Sequence, residues 1–220
     1  MCGRFAFHSP REAVLEYFGL ELPADAAPSY NIAPSQSVAV LRAGAGDEDE
    51  IALLKWGLVP SWAKDPAVGN RMINARAETV AEKPAFRAAW KRRRCGILAD
   101  GFYEWQTMPD GPKQPWFIRP VSNGPFLMAG LWEHWEKGPE PLQTCTIITT
   151  AASQTMQAVH HRMPVILGPE SLETWLHGED PAAAAAILEQ PGPALQMHGV
   201  SRFVNSPANN GPDLILPAST

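Results

Sequence analysis

The first periodic stretch of the chain is short and amphipathic. Ser9-Pro10-Arg11-Glu12 reads as a capping box with Pro at the first helical position, Val14, Leu15 and Phe18 fall on one face, and Gly19 supplies the stop. From residue 21 to 35 the chain is rich in Pro and Ala and has no period, which predicts a surface loop. Apolar runs of strand length follow. Residues 38–41 and 51–56 flank a turn of Gly and acidic residues and predict a hairpin. Runs at 95–98, 102–105, 116–119, 125–132, 144–150, 165–167 and 195–200 read as further strands, punctuated by Pro109-Asp110-Gly111-Pro112 and Gly138-Pro139. Helical patterns are fewer, at 84–92, 153–159, 169–176 and 181–188, each opened by Pro or Ser. Strands dominate and helices are segregated, so the pattern predicts an α+β fold with a curled, β-barrel-like antiparallel core and peripheral helices. There is no repeat and no linker, and 220 residues fit a single domain over 1–220.

Composition narrows the class. Apolar residues make up 45% and charged residues 19%, which excludes a disordered chain, and the 22 Pro and 17 Gly fit many turns without a collagen period. Cysteines at 2, 95 and 145 are odd in number and lack C-x-x-C spacing, so a reducing, cytoplasmic compartment is expected. No apolar run reaches the ~18 residues of a membrane span, and Met-Cys-Gly-Arg-Phe-Ala-Phe-His lacks the apolar stretch of a signal peptide, so no membrane partner is expected. Without a heptad seam, a monomer is the default. The net charge of −5 is uneven, because residues 71–94 carry eight Lys or Arg against two Glu. That segment reads either as a phosphate track or as a solvated helix face.

Cys2 is the most informative single residue. Removal of Met1 leaves a cysteine with a free α-amine, a 1,2-aminothiol. With a pKa of about 8, that amine is partly neutral at physiological pH and attacks carbonyls without special burial. Its natural target is an aldehyde, since the Schiff base is closed by the neighbouring thiol into a five-membered thiazolidine. The alternative is an accidental cysteine at the second position.

Several motifs weigh against accident. Met-Cys-Gly-Arg-Phe at 1–5, Asn-Ile-Ala-Pro-Ser-Gln at 31–36, Trp-Gly-Leu-Val-Pro-Ser-Trp-Ala-Lys-Asp at 56–65 and Asn-Ala-Arg-Ala-Glu-Thr at 74–79 occur in order. Ala-Asp-Gly-Phe-Tyr-Glu-Trp at 99–105, His-His-Arg-Met-Pro at 160–164 and Val-Asn-Ser-Pro at 204–207 complete the set. Together they resemble the SOS response-associated peptidase (SRAP) family. The resemblance implies a single SRAP-type domain with a positively charged cleft, which acts in the DNA damage response on abasic sites in single-stranded DNA. Cys2 would form a thiazolidine crosslink with the ring-opened sugar.

On the matching positions, the resemblance makes Cys2, Asn74, Glu104 and His160 the catalytic set. Asn74 would hold the cysteine amine, Glu104 would shuttle protons from among Phe102, Tyr103 and Trp105, and His160 would open the sugar ring and assist reversal. Arg4, Arg76 and Arg162 match arginines that hold phosphate, and Pro60 with Trp62 matches an apolar wedge that stacks on bases. Asn31 lies in a family motif without a clear role. Trp56, Trp105 and Trp132 are expected in the core, and 91–94 either extends the phosphate track or caps a helix.

No cofactor is implied. Metal binding is not expected, since the adjacent His160 and His161 should point apart in an extended segment and no third ligand stands at zinc-like spacing. His161 departs from the acid often found there in the family. The partner that the resemblance implies is single-stranded DNA with abasic sites, and with it association with the nucleoid during damage. Two readings remain beside the leading one: a cysteine peptidase built from Cys2, His160 and Glu104, including self-processing, or a non-covalent single-strand binding module. A lyase side activity is chemically possible, because an imine at C1′ acidifies the neighbouring position.

Overall fold

In a computed structural model, the structure describes residues 2–44, 46 and 48–218. Met1, and with it the expected processing, lies outside them. In chain order the elements are β1 (Phe5–Phe7), α1 (Arg11–Phe18), β2 (Ser29–Ile32), β3 (Ser37–Ala43), β4 (Asp49–Trp56), β5 (Asn74–Arg76), α2 (Arg87–Arg92), β6 (Arg94–Ala99) and β7 (Gly101–Gln106). They continue as β8 (Gln114–Pro120), β9 (Phe126–Trp135), β10 (Leu142–Ala151), α3 (Gln154–Gln157), β11 (Arg162–Pro164), β12 (Ile166–Leu167), α4 (Leu172–His177), α5 (Pro181–Glu189) and β13 (Leu195–Gly199).

The strands form two sheets. One is antiparallel in the order β13-β8-β7-β1-β2, and the other runs β11-β10-β4-β3-β6-β9-β12 with β5 added beside β10. The α+β expectation holds. Strand β10 is ten residues long and rich in Thr and Ile, which suits a central strand. Its length lets it serve several neighbours. It runs antiparallel to β9 over Leu142–Ile147 and parallel to β4 at Thr144 and Cys145. Further along, Thr149 lies between Arg76 of the parallel β5 and Pro164 of the antiparallel β11. The pairings β10-β4-β3-β6-β9-β10 thus return to their start, yet the β4–β10 contact has only two residue pairs. The core is therefore a twisted, curled sheet rather than a regular barrel.

Apolar side chains fill that curl. Trp56, Leu41, Leu54, Ile97, Leu98 and Met128 are fully buried, and Trp56 meets Phe5 of the other sheet edge to face at 5.1 Å. Ala6, Tyr103, Phe117, Val200, Val204 and Leu214 form a second cluster on the far side of β1 and β7. Because both faces of β7 are covered, Phe102, Tyr103 and Glu104 are all buried in succession, and simple strand alternation fails there.

The structure revises several local expectations. Ser9 does not cap α1, since its hydroxyl and N–H both donate to Asp100, as does the N–H of His8. Three donors on one buried carboxylate outweigh one helix cap. Gly19 does end the helix in the left-handed region, at φ 69°, while Leu15 is exposed rather than facing inward. The segment read as a loop contains β2, and β1, β5 and β11 were likewise not foreseen. Of the three tryptophans expected in the core, only Trp56 is fully buried. Trp105 is half-buried with its indole N–H on Asn205 Oδ1, and the half-buried Trp132 lies under the Arg42 guanidinium at 4.2 Å. No helix among the described residues is long and apolar enough to cross a membrane.

Candidate active site

The candidate residues converge where the two sheets meet. Strand β1 hydrogen-bonds to β7 and β2, which sets Cys2 and Arg4 at the head of β1 beside Glu104 of β7 and Asn31 of β2. Cys2 is buried, and its thiol lies 3.9 Å from the Arg4 carbonyl. Burial, reinforced by the negative charge of Glu104, pushes the thiol well above its ordinary range, so it is protonated at neutral pH. Glu104 is itself buried, which removes the solvent-facing alternative for it.

Asn74 reaches the same place from β5. Its amide Nδ2 donates to the Cys2 carbonyl at 2.8 Å, so Asn74 grips the backbone of Cys2. Its Oδ1 is buried and has no hydrogen-bond partner among the described residues. An amide oriented in this way offers an acceptor next to the cysteine main chain.

His160 follows α3 and is half-buried. The Arg162 backbone N–H donates to its Nδ1 at 2.9 Å. The Arg162 carbonyl oxygen lies 3.1 Å from the same Nδ1, so both backbone groups of Arg162 face this ring nitrogen and fix the orientation of the imidazole. His160 and His161 do not point apart. The chain bends there instead of extending, and the rings stack at 4.3 Å and 24°. The exposed His161 is held below its ordinary range chiefly by the charge of His160. Among the described residues, no three His, Cys, Asp or Glu side chains converge as metal ligands.

The three phosphate-binding candidates differ in what they offer. Arg76 is exposed on β5. Arg4 is half-buried, and one guanidinium nitrogen donates to Asn31 Oδ1 and to the Val204 carbonyl, each at 2.7 Å. Asn31 then donates to the Ser206 and Asn209 carbonyls at 2.9 and 2.7 Å. Arg4 and Asn31 thereby strap the Val-Asn-Ser-Pro segment to the head of β1. That role for Asn31 was hidden because its partners lie more than 170 residues away. Arg162 forms a bidentate pair with Glu78 and also donates to the Thr149 carbonyl.

The wedge divides. Pro60 is buried and its carbonyl accepts from Ala63 N–H at 2.9 Å, so it shapes the loop instead of projecting from it. Trp62 is 56% exposed at the tip. The base of this loop is closed by backbone passing against backbone, since a Cβ added to Gly69 would lie 2.5 Å from the Gly57 carbonyl oxygen, and Gly57 sits at φ +124°. The indole N–H of Trp135 donates to the Ala63 carbonyl at 2.7 Å, which fixes the loop to β9.

The run at 91–94 does not form one continuous track. Lys91 and Arg92 are exposed, Arg93 pairs with Glu133 at 2.7 Å, and Arg94 is buried. Arg94 donates to the carbonyls of Trp90, Trp175 and Gly178, so its positive charge closes the ends of α2 and α4.

The family model described as SOS response associated peptidase (SRAP) matches residues 1–207. The chain belongs to this family. It is 45% identical over 224 residues to the abasic site processing protein YoqW of Bacillus subtilis, covering 98% of this chain and 99% of that one. It is 40% identical over 223 residues to the abasic site processing protein HMCES of Gallus gallus, covering 86% of this chain and 66% of the relative. Among solved structures, a protein from Bacteroides thetaiotaomicron superposes with a TM-score of 0.86 at 25% identity, covering 99% and 100% of the two chains. A phage-related protein from Bordetella bronchiseptica gives 0.73 at 30% identity, covering 91% and 95%.

Proposed function

We propose that the protein recognises abasic sites in single-stranded DNA and captures them covalently through Cys2 once Met1 has been removed. The observation that carries this reading is the seat around Cys2. Asn74 Nδ2 holds the Cys2 carbonyl at 2.8 Å, and Asn74 Oδ1 is a buried acceptor suited to an amine N–H of the same residue. A buried Glu104 lies within electrostatic reach. The naming of the relatives as abasic site processing proteins points the same way.

The chemistry follows from these groups. His160 gives a proton to the sugar ring oxygen while the C1′ hydroxyl gives its proton to water, which opens the hemiacetal to the aldehyde and a free C4′ hydroxyl. The Cys2 amine adds to the aldehyde carbon, and loss of one water, with Glu104 relaying protons, leaves the imine. The Cys2 S–H then adds across the C=N bond, sulfur to carbon and proton to nitrogen, and closes the thiazolidine. Nothing is oxidised or reduced. The order is fixed by the chemistry, because the sulfur can close the ring only once the amine has formed the imine. In this reading the exposed Arg76 meets phosphate and the exposed Trp62 stacks on a base, which their exposure supports.

The test uses three single-stranded oligonucleotides: one with an abasic site, one with a tetrahydrofuran analogue that cannot form an aldehyde, and one undamaged. A heat-stable shifted band on a denaturing gel is expected with the first alone. Equal bands with the analogue, or none with any strand, would overturn the reading.

A further inference from the structure

Glu78 pairs with Arg162 and follows Arg76 by two residues, and the family resemblance assigns both arginines to phosphate. Its carboxylate forms two hydrogen bonds to the Arg162 guanidinium, of which the Nη2–Oε2 contact is 2.9 Å. The Arg162 side chain is 12% exposed and that of Glu78 is 52% exposed, so the carboxylate is the outward member of the pair. Arg76, two residues before Glu78, is exposed, and its charge acts on the same carboxylate. The pair spans three strands. Glu78 follows β5, Arg162 opens β11, and Arg162 also donates to Thr149 on β10 between them.

A negative charge facing outward among phosphate-binding arginines does not add to strand affinity. It subtracts from it, because phosphate and carboxylate compete for the same guanidinium in the same bidentate geometry. We infer that Glu78 is a specificity-determining residue that holds Arg162 back from undamaged single strands, lowering non-specific affinity so that capture depends on the lesion. This rests on the functional reading only in placing the strand across Arg76 and Arg162. A scaffold role for the pair makes a different prediction, since a tie between β5 and β11 does not care about salt in the binding reaction. Discrimination built from a repulsive element is a general route to specificity.

Fluorescence anisotropy of undamaged single-stranded DNA across a salt series tests this with wild type, Glu78→Gln and the double variant Glu78→Gln/Arg162→Gln. Glu78→Gln should bind roughly threefold to fivefold more tightly at low salt, the size expected for one surface charge. Its log K against log salt slope should steepen by ~0.7, one further phosphate neutralised. The double variant lacks the guanidinium that Glu78→Gln frees, so the gain in affinity and in slope seen in Glu78→Gln should be lost there. A folded Glu78→Gln with unchanged or weaker binding and an unchanged slope would overturn the inference. If Glu78→Gln fails to fold, the double variant decides, because weaker binding and a shallower slope there would mean that Arg162 already serves phosphate in the wild type. Wild type that binds no single-stranded DNA would overturn the functional reading as well, whereas wild type that binds and crosslinks while Glu78→Gln is unaltered overturns this inference alone.

Discussion

Cys2→Ala is expected to form no heat-stable adduct with abasic single-stranded DNA, a loss of roughly 100-fold or more in crosslink yield, while its affinity for the intact strand stays near that of wild type. The reason is chemical. An alanine at position 2 still presents an α-amine after removal of Met1, so an imine can form, but no sulfur closes onto it. The imine hydrolyses or is trapped by borohydride, and its acidified neighbouring position permits β-elimination. Strand scission should therefore rise as the crosslink disappears, and both products can be read from one denaturing gel. Small residues at position 2 share the same N-terminal processing, so the comparison isolates the thiol. The Cys2 Sγ lies 3.9 Å from the Arg4 carbonyl, whereas Asn74 grips the Cys2 main chain, so the substitution leaves that main-chain grip in place. A crosslink of wild-type yield and heat stability in Cys2→Ala would remove Cys2 from the chemistry.

Arg94→Ala should be the most destabilising of the arginine substitutions, and it should leave DNA binding unchanged in the folded fraction. Arg94 is 6% exposed, and its guanidinium serves the carbonyls of Trp90 at 3.0 Å, of Trp175 and of Gly178. These are the last turns of α2 and α4, whose carbonyls have no partners within their own helices. Truncation leaves buried acceptors without donors and opens a void against the Trp175 ring, which lies 5.9 Å from the guanidinium carbon. Hydrogen bonds to a charged group contribute about 1.5–3 kcal/mol each, and with partial relaxation we expect a loss of about 3 kcal/mol. For a domain of this size that lowers Tm by roughly 6–12 °C. Calorimetry measures it directly. An unchanged Tm together with weaker DNA binding would return Arg94 to the phosphate track.

The chain announced its long strands, while four of its short ones, β1, β2, β5 and β11, were concealed. The hairpin of β3 and β4, with strands of seven and eight residues, and the ten-residue β9 and β10 carry enough apolar positions to display a period. Strands β1, β5 and β11 are three residues each, and β2 is four. A segment that short cannot establish alternation, so it exists through its neighbours. Those four are the elements that position Cys2, Arg4, Asn31, Asn74, Arg76 and Arg162. The site was therefore readable only as motif text, whereas its assembly depends on the pairing of β5 and β11 along the end of β10. Charge was the other limit. A run of four basic residues at 91–94 looks uniform, yet burial separates Arg94 from Lys91 and Arg92. The pairing of Arg162 with Glu78 likewise spans 84 positions and has no local signature.

The most direct measurement is the intact mass of the crosslinked species, made in parallel with protein lacking Met1 and protein retaining it. A crosslink is expected only when Cys2 is the first residue. Its mass should equal protein plus oligonucleotide minus one water, it should gain no hydrogens on borohydride treatment, and digestion should place the adduct on the N-terminal peptide. A crosslink of equal yield with Met1 retained, an adduct that borohydride reduces by two hydrogens, or attachment at another residue would contradict this expectation.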